Sequence, residues 1–202
     1  MPKQTTVIPP GGGEVIGDSP ERRVEILAEH DALHATWARF GPGREGTGLH
    51  IHRHHDDVFY VIDGELTIRL GVDDERVVVP AGTFVLVPPL VVHGFLNGSD
   101  ADVRYLNFHA PGTGFADYMR GLRDGRRIPF DQQPPPDDGV RPPSAATIAS
   151  GGVESEHIAV AKVRGDPGGQ WCYVLDGDLA GSWVAGQPPA GATHLVDVRT
   201  PR

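Results

Sequence analysis

The sequence predicts an all-β protein, a small antiparallel barrel of jelly-roll type. Three observations lead there. Short apolar runs alternate with polar residues between residues 24 and 109. Turn formers separate them, drawn from the 27 glycines and 19 prolines of a 202-residue chain. Period-two alternation bounded by glycine and proline is the mark of short strands in a barrel or sandwich rather than of helices. Counting the runs gives eight or nine strands, enough to close such a barrel.

Taken in order, residues 1–20 carry Pro9-Pro10 and a triple glycine and read as a mobile tail, with an edge strand available near Thr6–Ile8. ERRVEILAEH and LHATWARF read as strands, and GPGREGTG as a glycine-rich turn. His30 and His34 fall on strands outside any motif and are expected on a sheet face or the surface. VFYVI and ELTIRL flank Asp63-Gly64, the dipeptide that favours a two-residue hairpin. RVVV, TFVLV, VVHGFL and VRYLNFH supply the remaining strands. In TGFADYMRGLRD, Phe115, Tyr118, Met119 and Leu122 fall on one helical face, with Thr113 placed to cap. That face is expected to cover the flank of the barrel.

Residues 1–112 are therefore assigned to the barrel, 113–124 to a flanking helix and 125–146 to a proline-rich extended linker. Residues 171–179, WCYVLDGDL, echo residues 58–66, VFYVIDGEL. Carrying the alignment back without gaps puts Val163, Gly165 and Gln170 where the first copy has His50, His52 and Asp57. Residues 147–202 read as a degenerate second half without ligands, packing on the barrel or across a homodimer.

Composition excludes several classes. A formal net charge of −9 opposes general nucleic-acid binding, which needs a basic surface, and gives no support to adsorption on anionic membranes. Cys172 is the only cysteine, so no intrachain disulfide is expected. No apolar leader and no run of about eighteen apolar residues appears, so a cytoplasmic location is expected.

The chemistry concentrates in residues 46–66. Four histidines and two aspartates lie between positions 50 and 57. Groups of this kind are costly to bury unpaired, so packing alone does not account for them. His50 and His52, two apart, share a strand face. Asp57 shares parity with Phe59 and Val61 beyond a short excursion. His93, in VVHGFL, is a fourth polar group on an otherwise apolar strand. His54 and His55 lie in the excursion, as solvated loop histidines or as substitute ligands, and Asp56 is expected to face solvent.

These stretches resemble the cupin superfamily. Its first motif, His-x-His followed by glutamate and glycine, is matched by His50, His52, Asp57 and Gly64. Its second, glycine, Pro-x-Gly, histidine and asparagine, is matched by Gly82, Pro88, Leu90, His93 and Asn97. Aspartate stands for the usual glutamate and Leu90 for the second glycine. The resemblance implies a double-stranded β-helix barrel and a divalent transition metal (Fe, Ni, Cu, Zn or Mn) held by His50, His52, Asp57 and His93.

Imidazole and carboxylate together suit such ions. Aspartate is shorter than glutamate by about 1.5 Å. Either its strand moves inward, or Asp57 contacts a metal-bound water and acts as a general base. Phe59, Val61 and Phe95 share the ligand face and are expected to wall a pocket for a small apolar molecule bearing a chelating oxygen pair. The resemblance reaches to cupin dioxygenases such as quercetinases, which implies a metal-dependent oxidoreductase. A non-catalytic small-molecule-binding cupin and a metal-dependent isomerase or lyase are the alternatives.

Overall fold

The computed structural model describes residues 5–137, 140–165, 167–187 and 192–201. The strands are β1 (Thr6–Ile8), β2 (Glu14–Asp18), β3 (Arg22–His30), β4 (Leu33–Phe40), β5 (Asp56–Asp63), β6 (Glu65–Leu70), β7 (Glu75–Pro80) and β8 (Phe84–Val87). They continue as β9 (His93–Leu96), β10 (Val103–Ala110), β11 (Thr147–Ala149), β12 (Gly152–Glu154), β13 (Ala159–Arg164), β14 (Trp171–Val174), β15 (Trp183–Ala185) and β16 (His194–Arg199). Among the described residues the α-helix is α1 (Phe115–Arg123), joined by a short 3-10 turn at Pro143–Ala145. The fold is all-β, a double-stranded β-helix barrel with an added C-terminal sheet.

Three sheets build it. The central one runs β11-β8-β5-β10-β4-β3-β2, and β7-β6-β9 closes the barrel opposite. The third runs β1-β15-β14-β16-β13-β12. Strand alternation decides what each face buries. Ala38, Phe40, Phe59, Val61, Val85, Val103 and Tyr105 point into the barrel core with Leu66 and Ile68 of the small sheet. Leu33, Ala35, Val58, Tyr60, Phe84, Leu86, Leu106 and Phe108 point the other way, against Val160, Tyr173, Trp183, Val196 and Val198 of the third sheet. The central sheet is thus buried on both faces, which its apolar runs reflect.

Several local expectations are revised. Residues 5–20 are no loose tail: β1 pairs with β15 and β2 with β3. VFYVI and ELTIRL form no hairpin, because β5 pairs with β10 and β8 while β6 pairs with β7 and β9. Asp63-Gly64 instead turns the chain from one sheet into the other. Gly64 has φ 77°, and an added Cβ would meet the Asp102 carbonyl oxygen at 2.5 Å, so the corner needs glycine. Thr113 caps nothing: Gly114 is the N-cap, and the Thr113 hydroxyl lies 3.2 Å from His55 Nδ1.

Asp56 does not face solvent. It is buried beneath the C-terminal sheet, where Oδ2 accepts from Ser155 Oγ at 2.5 Å and from His157 Nδ1 at 3.0 Å. A strand covered on both faces leaves neither of two adjacent aspartates outside.

Candidate metal centre

Backbone pairing assembles the site. His50 and His93 form an antiparallel bridge, each amide donating to the other's carbonyl at 2.8 and 2.9 Å. Leu90 donates to the His52 carbonyl, so the second motif is laid directly against the first. Leu90 itself has φ 70°, the left-handed conformation that the family's glycine would adopt without strain. Asp57 stands on β5, opposite His109 of β10 and Val87 of β8. His50, His52, Asp57 and His93 are all buried, and one donor atom from each lies within 4.8 Å of the others.

Hydrogen bonds fix which nitrogen of each ring is free. His50 Nδ1 lies 2.8 Å from the Gly48 carbonyl and His93 Nδ1 2.9 Å from that of Val91. His52 Nδ1 is bonded to the Asp131 carbonyl. A carbonyl only accepts, so each Nδ1 carries the proton and each Nε2 presents a lone pair. Those lone pairs converge. Nε2 of His50 and His52 are 3.2 Å apart, and Nε2 of His93 is 3.2 Å from Asp57 Oδ2. Donors about 2.1 Å from a metal and at right angles would lie about 3.0 Å apart. Two bare lone pairs at such a separation repel unless a cation stands between them. The donor set therefore fits a divalent transition metal.

Asp57 reaches the point where the imidazoles meet, with Oδ2 3.8 Å from His52 Nε2. Its other oxygen accepts from Asn107 Nδ2. Burial opposes ionisation, yet the imidazoles of His109, His52 and His93 outweigh it and hold the carboxyl well below its usual range. Burial, with the neighbouring rings, pushes His50 down to about 2, so it is a neutral ligand at neutral pH.

Two buried histidines, His109 and His55, and the half-buried Asp131 complete a supporting shell. His109 Nε2 lies 3.0 Å from Asn107 Oδ1, continuing the chain from Asp57. Because the Asn107 amide donates to Asp57, its oxygen accepts, and Nε2 of His109 bears the proton. His55 is fully buried rather than a solvated loop residue; its Nδ1 lies 3.2 Å from Asp131 Oδ2. Asp131 Oδ2 also accepts from the amides of Arg53 and His54 at 2.9 and 2.8 Å. His52, His55 and His109 form a second group of potential donors within 4.8 Å of one another. His52 belongs to both groups, and its single free nitrogen serves one centre at a time.

The stretch Phe130–Gln133, inside the proline-rich segment, thus crosses the site. Phe130 packs on His52, His55 and Phe115, and Gln133 exchanges backbone hydrogen bonds with Ile51. The signals were faint: Tyr105, Asn107 and His109 at strand spacing, and an isolated Phe-Asp pair before prolines.

A cavity of about 330 Å³ opens onto the donors His50, His52 and Asp57. Its walls include Phe40, Phe95, Tyr105, Phe115, Tyr118 and Met119. Phe95 lines it as expected. Phe59 and Val61 do not; both have no exposure and fill the barrel core behind it, with Phe59 5.2 Å from Phe95 ring to ring. Their parity is that of the ligand face, but they lie along β5 past Asp57, where packing closes the interior. The helical stripe Phe115–Leu122 forms one wall of the cavity.

With barrel and donors in place, residues 36–109 match the family model of the cupin domain, so this part of the chain carries a cupin domain. Over its length it is similar in fold to the bacterial pirin YhhW of Escherichia coli, solved in complex with nickel(II). The TM-score is 0.65 and the identity 11%, covering 98% of this chain and 100% of that one. Protein Ylba of E. coli is likewise similar, at TM-score 0.58 and 12% identity over 98% of this chain and 86% of that one. An RmlC-like cupin from Shewanella frigidimarina is 28% identical over 50% of this chain and 86% of that one, at TM-score 0.43. No curated protein matches the chain.

Proposed function

We propose that this cupin is a metal-dependent oxidoreductase of dioxygenase type, acting on a small, largely apolar molecule that carries a chelating pair of oxygens. The observation that carries the reading is the convergence of three imidazole lone pairs and one carboxylate beside a cavity of about 330 Å³, a volume suited to a single small ligand. A bound Fe, Ni or Cu ion, held by His50, His52, Asp57 and His93, would supply Lewis acidity and a route for oxygen chemistry.

The chain's own residues do the rest. Gly48, Val91 and Asp131 carbonyls orient the rings. Phe95, Phe115 and Tyr118 exclude water from the substrate. Asp57, ionised and held by Asn107, is a ligand that can also accept a proton from a substrate hydroxyl at Oδ2.

Elemental analysis of the purified protein beside His93→Ala tests the centre. One equivalent of a transition metal in the wild type and almost none in the variant is expected. Oxygen uptake over a panel of flavonols, catechols and diketones tests the reaction; no uptake after iron, nickel or copper loading removes the dioxygenase assignment. Turnover without oxygen would instead identify an isomerase or lyase, and a ligand recovered unchanged would identify a binding protein. The same reading takes the protein as a cytoplasmic homodimer, to be checked by light scattering and fractionation. Among the described residues no helix is long and apolar enough to cross a membrane.

A further inference from the structure

We propose that Arg22 and Arg44 form an anion subsite in the cavity wall, so that the molecule bound there carries a carboxylate as well as the group that faces the metal donors. The inference deepens the functional reading above and rests on it for the chelating end of the ligand only.

Both arginines line the same cavity as His50, His52 and Asp57. Many of the chain's guanidinium groups are paired: Arg23, Arg39, Arg69, Arg104, Arg120 and Arg199 each lie within ion-pair distance of a carboxylate, while Arg53 and Arg141 bond neutral oxygens away from the cavity. Arg22 and Arg44 have no such partner among the described residues. Nε of Arg44 is moreover buried and makes no hydrogen bond. Arg44 as a whole is half-buried and lines the cavity, and a planar two-oxygen anion is the acceptor that a guanidinium fork matches.

The nearby carboxylates do not fill this role. Glu45 Oε2, on the cavity rim, is directed to Arg69 at 3.9 Å. Asp57 accepts from Asn107 with one oxygen and turns the other toward the imidazole nitrogens rather than toward the arginines. In a chain of net charge −9, two unneutralised cations facing one cavity mark a place where an incoming ligand supplies the negative charge. Tyr105 and Tyr118 also line the cavity. The volume of about 330 Å³ limits the ligand to roughly a single ring or short chain between the arginines and the donors.

The test compares two pairs of probes on the full chain, metal-loaded and metal-free. Catechol and 3,4-dihydroxybenzoate share a chelating pair and differ by one carboxylate. Benzoate and benzamide carry no chelating pair and report on the arginines alone. Calorimetric titration is expected to show the carboxylate of each pair binding about tenfold more tightly, the scale of one charge-assisted contact. Arg44→Met and Arg22→Met should each bring that ratio toward one, with Arg44→Lys between. Far-UV circular dichroism identifies the variants that keep the fold.

A ratio near one in the wild type, or ratios unchanged in both methionine variants, overturns the subsite. Catechol binding that ignores the metal, beside an intact benzoate preference that Arg44→Met abolishes, sinks the metal-dependent reading and supports the subsite.

Discussion

Residues 58–66 and 171–179 carry nearly the same pattern, an apolar run, Asp-Gly, an acidic residue and leucine, yet they do different things. The first turns the chain out of the central sheet into the small one, since β5 and β6 share no pairing. The second lies between β14 and β15, which do pair, Tyr173 opposite Trp183. Turn chemistry sets where the chain bends, while the strands waiting on either side decide what it bends toward.

The flanks diverge as well. Ahead of the first copy stand the metal donors. Ahead of the second, Val163 packs on the apolar cluster of Cys172, Val174, Val184 and Leu195, and Gln170 exchanges hydrogen bonds with the backbone of Thr200. The same scaffold carries polar convergence in one place and ordinary packing in the other.

The two glycines test this contrast most severely. Gly64 and Gly177 both have positive φ, 77° and 75°. An alanine at either pays the left-handed penalty of about 1–2 kcal/mol. At position 64 the added methyl must also displace the Asp102 backbone, 2.5 Å away, at a further cost on the order of 1–3 kcal/mol. Gly64→Ala is therefore expected to lose roughly 3 kcal/mol and Gly177→Ala roughly 1 kcal/mol in urea unfolding. Equal losses would mean that the inter-sheet corner is no more constrained than the C-terminal loop.

A second contrast concerns support. The histidines of the barrel are held from outside by Asp131, which fixes His52 and His55 together. Removing such a partner lowers metal affinity about 10–100-fold in comparable sites. Asp131→Ala keeps the carbonyl that orients His52 but removes the carboxylate that holds His55 and the Arg53 and His54 amides. It should therefore weaken the metal toward the lower end of that range, about tenfold, in a chelator competition. Asp131→Asn keeps an acceptor oxygen for the Arg53 and His54 amides and should recover most of it. Unchanged affinity in the alanine variant would show that the cross-strand bridge of His50 and His93 alone positions the rings.

The sequence carried the barrel, its strands and the four converging donors, because period-two alternation and the His-x-His spacing are local signals. It did not carry sheet membership, so the Asp63-Gly64 corner reads as a hairpin. It also could not show that the C-terminal sheet and the barrel interior cover both faces of β5. Asp56, and the fully buried His55, are therefore misplaced by any rule that sends one face of a strand to solvent. Asp131 lay hidden for another reason: it reaches the site from a proline-rich stretch 79 residues beyond His52, with no periodicity to mark it.

The smallest test separates the barrel's metal donors from a histidine that merely shares their interior. His34, on the inward face of β4, touches Phe115 edge-on at 4.9 Å, and neither ring nitrogen has a partner among the described residues. Burial, against a weaker pull from Glu29, lowers it to about 4 from an ordinary 6.5. The unfolded chain therefore binds a proton between these values that the folded chain refuses. Stability is fully present above about 6.5 and falls with acidification by up to about 1.4 kcal/mol per pH unit for this group.

His34→Leu removes the titration and the two unpaired polar atoms together. Its stability relative to wild type should rise by roughly 1 kcal/mol between pH 7.5 and pH 5.5 in metal-free protein. Parallel curves for the two proteins would mean that His34 finds a proton-stabilising partner when charged. In that case the barrel interior would be polar beyond its donor set, and the difference from the apolar C-terminal sheet would be wider than the ligands alone make it.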